Sequence, residues 1–227
     1  MLGLGGNLCK ANFTDEFVDL ASFSNLAFYF KNATQIAVDQ WKDQSGNDNH
    51  MAQESAGLQA QVSSGALFFD GSDDQYDLAS GLQLGESEEF SLFWAGSIAN
   101  HTTSHTLLSA EEGSYLIIKN ADEIELQVGE VTTTMSYANG SFPHRTNMQL
   151  CIRKNTDRTI DVFKNGSVLT PASSPDSGTS SFLCEKIGFT TNEDYAFSGK
   201  VYELALYQEA LSAGKIEIIT DYLSHLL

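Results

Sequence analysis

Proline and cysteine are scarce in this chain, with three residues of each in 227. With so little proline and no long low-complexity run, an extended disordered segment is not expected. Cys9, Cys151 and Cys184 lack the paired spacing of zinc ligands. Cys151 and Cys184 sit in strand-like apolar contexts and read as small buried hydrophobes, with nothing to support a disulfide between them. Positive charge is also short, at 12 basic residues against 30 acidic, a formal net charge of −18. That balance repels phosphate backbones and anionic membrane surfaces, so neither nucleic acid nor membrane is an expected partner. No apolar run approaches the ~20 residues of a membrane helix. The N-terminus lacks the basic region and apolar core of a signal peptide, so the sequons at Asn12, Asn32, Asn100, Asn139 and Asn165 carry no weight. The chain reads as a soluble protein made in a cytoplasm. It shows no repeat at a fixed period.

Core-forming residues are plentiful. Hydrophobic residues make up 41%, including 14 Phe, 8 Tyr and 2 Trp, enough for the core of one large β-sandwich. Residues 1–24 stand apart as a glycine-rich apolar arm, whose Met1, Leu2, Leu4, Leu8, Phe13 and Phe17 would dock on a neighbouring surface. From residue 25 the pattern is one of short strands. Leu26–Phe30, Gln35–Trp41, Ala66–Asp70 and Phe90–Ile98 come first. Thr106–Ala110, Tyr115–Lys119, Glu123–Val128, Val131–Tyr137, Met148–Lys154 and Thr159–Lys164 follow at regular spacing, separated by Gly, Asn or Asp. Asn165-Gly166 is a hairpin signal, because both residues of a type I′ turn need positive φ. Ser181–Phe189 and Ser198–Tyr207 are the last strands. Ser212 then caps a helix with an apolar stripe of Ile216, Ile219, Tyr222, Leu223 and Leu226. The expected fold is all-β, a two-sheet antiparallel jelly-roll sandwich with a short C-terminal helix.

The densest stretch is Trp41-Lys-Asp-Gln-Ser-Gly-Asn-Asp-Asn-His50. Its Asn, Asp, Ser and Gly residues are turn formers, and they gather several oxygen atoms behind a half-buried Trp. It reads either as a structural turn or as part of a ligand site. Four blocks together resemble the concanavalin A-like, laminin-G-like jelly-roll family: Leu26-Ala-Phe-Tyr-Phe, Trp41-Lys-Asp-Gln-Ser-Gly-Asn, Leu67-Phe-Phe-Asp-Gly-Ser-Asp-Asp-Gln-Tyr, and Ser198-Gly-Lys-Val-Tyr-Glu-Leu-Ala-Leu-Tyr-Gln-Glu-Ala-Leu-Ser. The resemblance covers about residues 25–227. Met1-Leu-Gly-Leu-Gly-Gly-Asn-Leu resembles the opening of virion proteins of marine tailed phages, particularly those of cyanobacteria, that carry this jelly roll.

The family resemblance implies a structural calcium or a carbohydrate at a loop edge. Calcium takes six to eight oxygen ligands. Asp43, Asn47, Asp48 and Asn49 are candidates, with Asp70 and Glu203 approaching from neighbouring blocks. No spacing matches an EF-hand loop. For sugar contact the candidates are Tyr137, Asn139, Phe142 and His144 in one loop, and Tyr195 in another. Glu123-Ile-Glu125 has the alternation of a hydrolase carboxylate pair but lies beside Asp122 and a turn, which suggests a solvated strand edge. His101 and His105 have no supporting zinc ligand motif, and no Gly-x-Ser-x-Gly elbow is present. The expectation is a non-enzymatic virion structural protein, a capsid decoration or exposed fibre component. It would assemble in a host cytoplasm, dock other virion proteins through residues 1–24, and form a homo-oligomer. The alternative is a lectin-like carbohydrate-binding module, with calcium as an optional aid to binding.

Overall fold

A computed structural model describes residues 18–31, 36–37, 39–84, 89–111, 113–173, 175–178, 180–190 and 195–227. The arm residues Met1, Leu2, Leu4, Leu8, Phe13 and Phe17 lie outside these.

In chain order the first strands are β1 (Leu26–Phe30), β2 (Ile36–Ala37), β3 (Gln40–Trp41), β4 (Met51–Ala52), β5 (Gln61–Ser63) and β6 (Ala66–Asp70). Next come β7 (Tyr76–Leu84), β8 (Phe90–Ile98), β9 (His105–Ser109), β10 (Tyr115–Ile118), β11 (Glu123–Val128) and β12 (Val131–Ser136). They are followed by β13 (Met148–Lys154), β14 (Ile160–Lys164), β15 (Ser167–Leu169) and β16 (Phe182–Ile187). The chain closes with β17 (Phe189–Thr190), β18 (Tyr195–Ala196), β19 (Ser198–Tyr207) and the helix α1 (Ala213–Ser224).

Two antiparallel sheets form the sandwich. One has the order β15-β14-β13-β8-β19-β6-β5, with β1 also paired to β19. The other runs β12-β11-β10-β9-β16-β7-β4-β3-β2. Along one edge of β19, Ser198–Val201 pair with β6 and Leu204–Tyr207 pair with β1. Its other edge pairs with β8 through a bulge between Val201 and Glu203.

Why β8 is apolar almost throughout is now evident. Successive strand residues point to opposite faces, and both faces of this sheet are covered. Phe90, Leu92, Trp94 and Ile98 enter the core between the sheets, while Phe93 and Ala95 face a second apolar layer. That layer is closed by Ile216, Ile219 and Leu223 of α1. The hydroxyl of Ser212 accepts from Lys215 N, so the predicted cap is in place. Val18, Leu20 and Phe23 pack in the same layer, and Tyr207 Oη donates to Leu20 O at 3.1 Å. The described end of the N-terminal segment therefore lies on its own domain. Cys151 belongs to the helix-side layer and Cys184 to the inter-sheet core; both are free thiols.

Two strand predictions need revising. The predicted run Ser181–Phe189 ends at Ile187, and Phe189 begins β17, which pairs with β18 instead. In place of a single run to Trp41, β2 and β3 form a small hairpin, with Ile36 paired to Trp41. The Asn165-Gly166 turn has φ of 48° and 77°, as a type I′ turn requires.

Candidate functional site

The Trp41–His50 turn faces its own backbone. Asp43 Oδ1 accepts from Tyr29 N and Ser45 N, each at 2.8 Å, and Oδ2 accepts from Ser45 Oγ at 2.7 Å and Asn49 N at 3.1 Å. Asn47 Nδ2 donates to Leu26 O and Ala27 O, and Asn49 Nδ2 to Ala27 O. A carboxylate has about four lone-pair positions, and those of Asp43 are met by protein donors. The turn is a staple holding the loop against β1.

The six calcium candidates do not converge. Asp48 is exposed, and its Oδ1 lies 3.9 Å from His50 Nε2. Asp70 pairs with Ser198 on the far end of β19 from Glu203. Glu203 is buried on the helix side, where it accepts from Tyr29 Oη at 2.8 Å. This set does not fit a calcium ion, which needs its oxygens around one point. Asp70, Asp73 and Asp74 do bring one carboxylate oxygen each within 4.8 Å of one another. Asp70 and Asp73 are exposed, and exposed acidic groups are common without an ion; the buried Asp74 accepts from Asp70 N at 2.8 Å.

The predicted sugar-contact loop divides in two. Phe142 is buried and Tyr137 nearly so, with ring centroids 5.6 Å apart at 90°. They pack as core rather than as a stacking platform, because an aromatic ring between the sheets gains more from burial than from exposure. Asn139 is exposed at the loop tip. His144 is also exposed, and its ring meets that of His101 edge-on at 5.0 Å.

The remaining aromatic candidate, Tyr195, is half-buried and lines an open recess of about 480 Å³. His101, Thr102, Thr103 and Ser104 from the β8–β9 loop form one side, and Lys119 and Asn120 after β10 another. Two hydroxyls position Tyr195. Thr106 Oγ1 donates to Tyr195 O at 2.6 Å and Ser109 Oγ to Phe189 O at 2.5 Å, so the β17–β18 hairpin lies across the outer side of β9. The Tyr195 hydroxyl makes no hydrogen bond among the described residues.

The floor beside the recess is the outer face of the second sheet. There Ile117, Glu125 and Thr134 are neighbours in register across β10, β11 and β12. Glu125 accepts from Lys119 Nζ at 2.8 Å, Tyr115 Oη at 2.9 Å and Thr134 Oγ1 at 2.9 Å. Burial pushes this carboxyl up, but those three donors outweigh it and hold it below the ordinary carboxylate range. The hydrogen bond to Glu125 likewise raises the Lys119 ammonium. Burial and the nearby His144 lower His101, so its imidazole is held neutral. His105 is also lowered by burial; its ring contacts Asn100 O at 2.7 Å and Ser198 N at 3.2 Å.

An ionised Glu125 tied to three donors is a poor general acid, and among the described residues none of the recess lining is a second carboxylate to pair with it in the manner of a hydrolase. The arrangement is suited to holding a polar ligand against an aromatic edge. Of its parts, the sequence singled out Tyr195. It set aside His101 as an unsupported metal ligand and Glu125 as a solvated edge, and Lys119 and Asn120 carried no motif. The available signal was the cluster Asn100-His-Thr-Thr-Ser104, whose small polar side chains mark an exposed loop.

No family model matches this sequence, and no curated protein matches it. Solved structures do. Trypanosoma rangeli sialidase, in complex with a difluoro-nononic acid, aligns over 90% of this chain and 33% of its own, at 14% identity and a TM-score of 0.63. A botulinum neurotoxin type C structure, whose cell entry depends on interaction with two ganglioside molecules, aligns over 88% of this chain and 51% of its own, at 14% identity and a TM-score of 0.57. The CBM40 of the Ruminococcus gnavus IT-sialidase, bound to α2,3-sialyllactose, aligns over 68% of this chain and 96% of its own, at 15% identity and a TM-score of 0.51. The chain thus spans about a third of the sialidase and half of the neurotoxin chain. At these identities the shared property is the fold: a two-sheet antiparallel β-sandwich.

Proposed function

We propose that this domain is a non-catalytic, lectin-like module that binds glycans in the recess walled by Tyr195. The observation that carries this reading is the half-buried Tyr195, whose hydroxyl has no hydrogen-bond partner among the described residues, lining an open recess with the polar side chains of Thr103, Lys119 and Asn120. Sugars offer an apolar ring face and a rim of hydroxyls, and such a site answers both. Support also comes from the structural neighbours, two of which are described as binding a sialylated sugar or interacting with gangliosides. The test is an array of immobilised glycans probed with the wild-type chain and with Tyr195→Ala. Binding by the wild type that falls about tenfold in the variant, with the melting temperature kept, supports the reading; equal binding by both excludes this site.

The virion role is the second reading. It rests on the sequence of residues 1–8 and is compatible with the first, since a particle-bound lectin would present its recess outward. In that case the protein resides in the virion and residues 1–24 dock it on other virion proteins or on copies of itself. Deleting residues 1–24 then abolishes particle association while glycan binding persists. Association that survives the deletion removes this role from the arm.

A further inference from the structure

We infer that the recess selects neutral glycans and disfavours sugars carrying a carboxylate, an inference that rests on the glycan reading above. The argument is a count of charge at the site. Among the described residues lining the recess Lys119 is the one lysine or arginine, and its ammonium is 2.8 Å from the carboxylate of Glu125. That carboxylate is ionised, because the donors around it outweigh its burial. The pair is a dipole rather than a free positive charge. Arg145 donates through Nε to Ala99 O and lies outside the recess lining.

The remaining charge is negative. Glu123 sits one strand pleat from Glu125 on the same face of β11, where it accepts from Asn120 Nδ2 at 2.8 Å and from Ser136 Oγ at 3.3 Å. Asp122 lies close enough to His101 to influence it. Neither Glu123 nor Asp122 makes an ion pair among the described residues. His101 adds nothing positive, since burial and His144 keep it neutral. An incoming carboxylate therefore meets the negative charge of Glu123, which is bonded to the lining residue Asn120, and finds its natural partner already paired. The formal net charge of −18 acts in the same direction at longer range. Hydroxyl groups meet no such barrier. The remaining N–H groups of Lys119 and the Tyr195 hydroxyl, which has no partner among the described residues, suit a neutral, hydroxyl-rich sugar. This separates the chain from its structural neighbour described with bound sialyllactose.

The experiment compares matched glycans that differ by the acidic sugar alone, with lactose and α2,3-sialyllactose as the first pair and further neutral and sialylated pairs on one array. The expected result is binding to neutral members at least about tenfold stronger than to their sialylated partners, with the gap narrowing as salt is raised. Glu125→Gln frees the Lys119 ammonium, and the same ratio should shift by about tenfold toward the sialylated member. The wild-type ratio stands alone should that variant fold poorly. Sialylated glycans binding as well as or better than their neutral partners would overturn the inference while leaving the glycan reading intact. If no member of any pair binds, the glycan reading itself fails and the inference falls with it.

Discussion

The Trp41–His50 turn and the Tyr195 recess are both crowded with polar side chains, yet they do opposite things. In the turn, Asp43, Asn47 and Asn49 direct their hydrogen bonds inward, to the backbone of β1 and of the turn itself. In the recess, Tyr195 and the outer face of Lys119 keep unfilled capacity toward solvent. A dense polar motif is therefore no measure of a binding site. What matters is whether its lone pairs and N–H groups are already answered by the fold.

The largest expected effect lies in the turn. Asp43→Ala removes an acceptor of four hydrogen bonds and should cost about 3 kcal/mol, lowering the melting temperature by about 6–12 °C. Glycan binding per folded molecule should not change. A smaller loss with altered binding would mean that the turn belongs to the site after all.

Acid should act next. The folded-state pKa of Glu125 is lowered, so its contribution to stability is fully present above the ordinary value of 4.5 and is lost as pH falls through the folded value. Glu125→Gln should therefore be less stable than wild type at neutral pH and converge with it below about pH 4.5. Chemical denaturation at a series of pH values checks this. Parallel curves would remove the Glu125 network from the account.

Tyr195→Ala reverses the pattern of Asp43→Ala. Its ring is half-buried and its hydroxyl has no partner among the described residues, so stability should fall by no more than about 1 kcal/mol, while glycan affinity drops about tenfold. At the far end of the scale, a chelator should leave the melting temperature of the wild type unchanged, because Asp43 is satisfied by protein donors. A downward shift would call for an ion elsewhere, with the Asp70, Asp73 and Asp74 carboxylates the first to test.

The architecture was largely legible in the sequence. β6, β8, β11, β13 and β19 have the bounds that their apolar runs and flanking turn residues predict. Strand identity is local, since it depends on side-chain pattern and on the breakers at each end. The site was not legible for the opposite reason. His101, Lys119, Glu125 and Tyr195 come from four separate segments, and only the sheet register and the β17–β18 hairpin bring them together. Pattern also misled where burial decides. Phe142 follows Asn-Gly-Ser and reads as an exposed loop aromatic, but the chain turns back and places the ring in the core. Glu203 reads as an edge ligand, whereas α1 covers the face it occupies.

The central claim is that a glycan occupies the recess rather than some other part of the sandwich. It is tested most directly by following backbone amide resonances of the isotopically labelled protein as the strongest-binding neutral glycan is added. The account predicts that the largest shifts fall on Thr102, Thr103, Asn120 and Tyr195, with the Trp41–His50 turn unmoved. Shifts concentrated on the turn or on the Asn139 loop, with the recess silent, would contradict it.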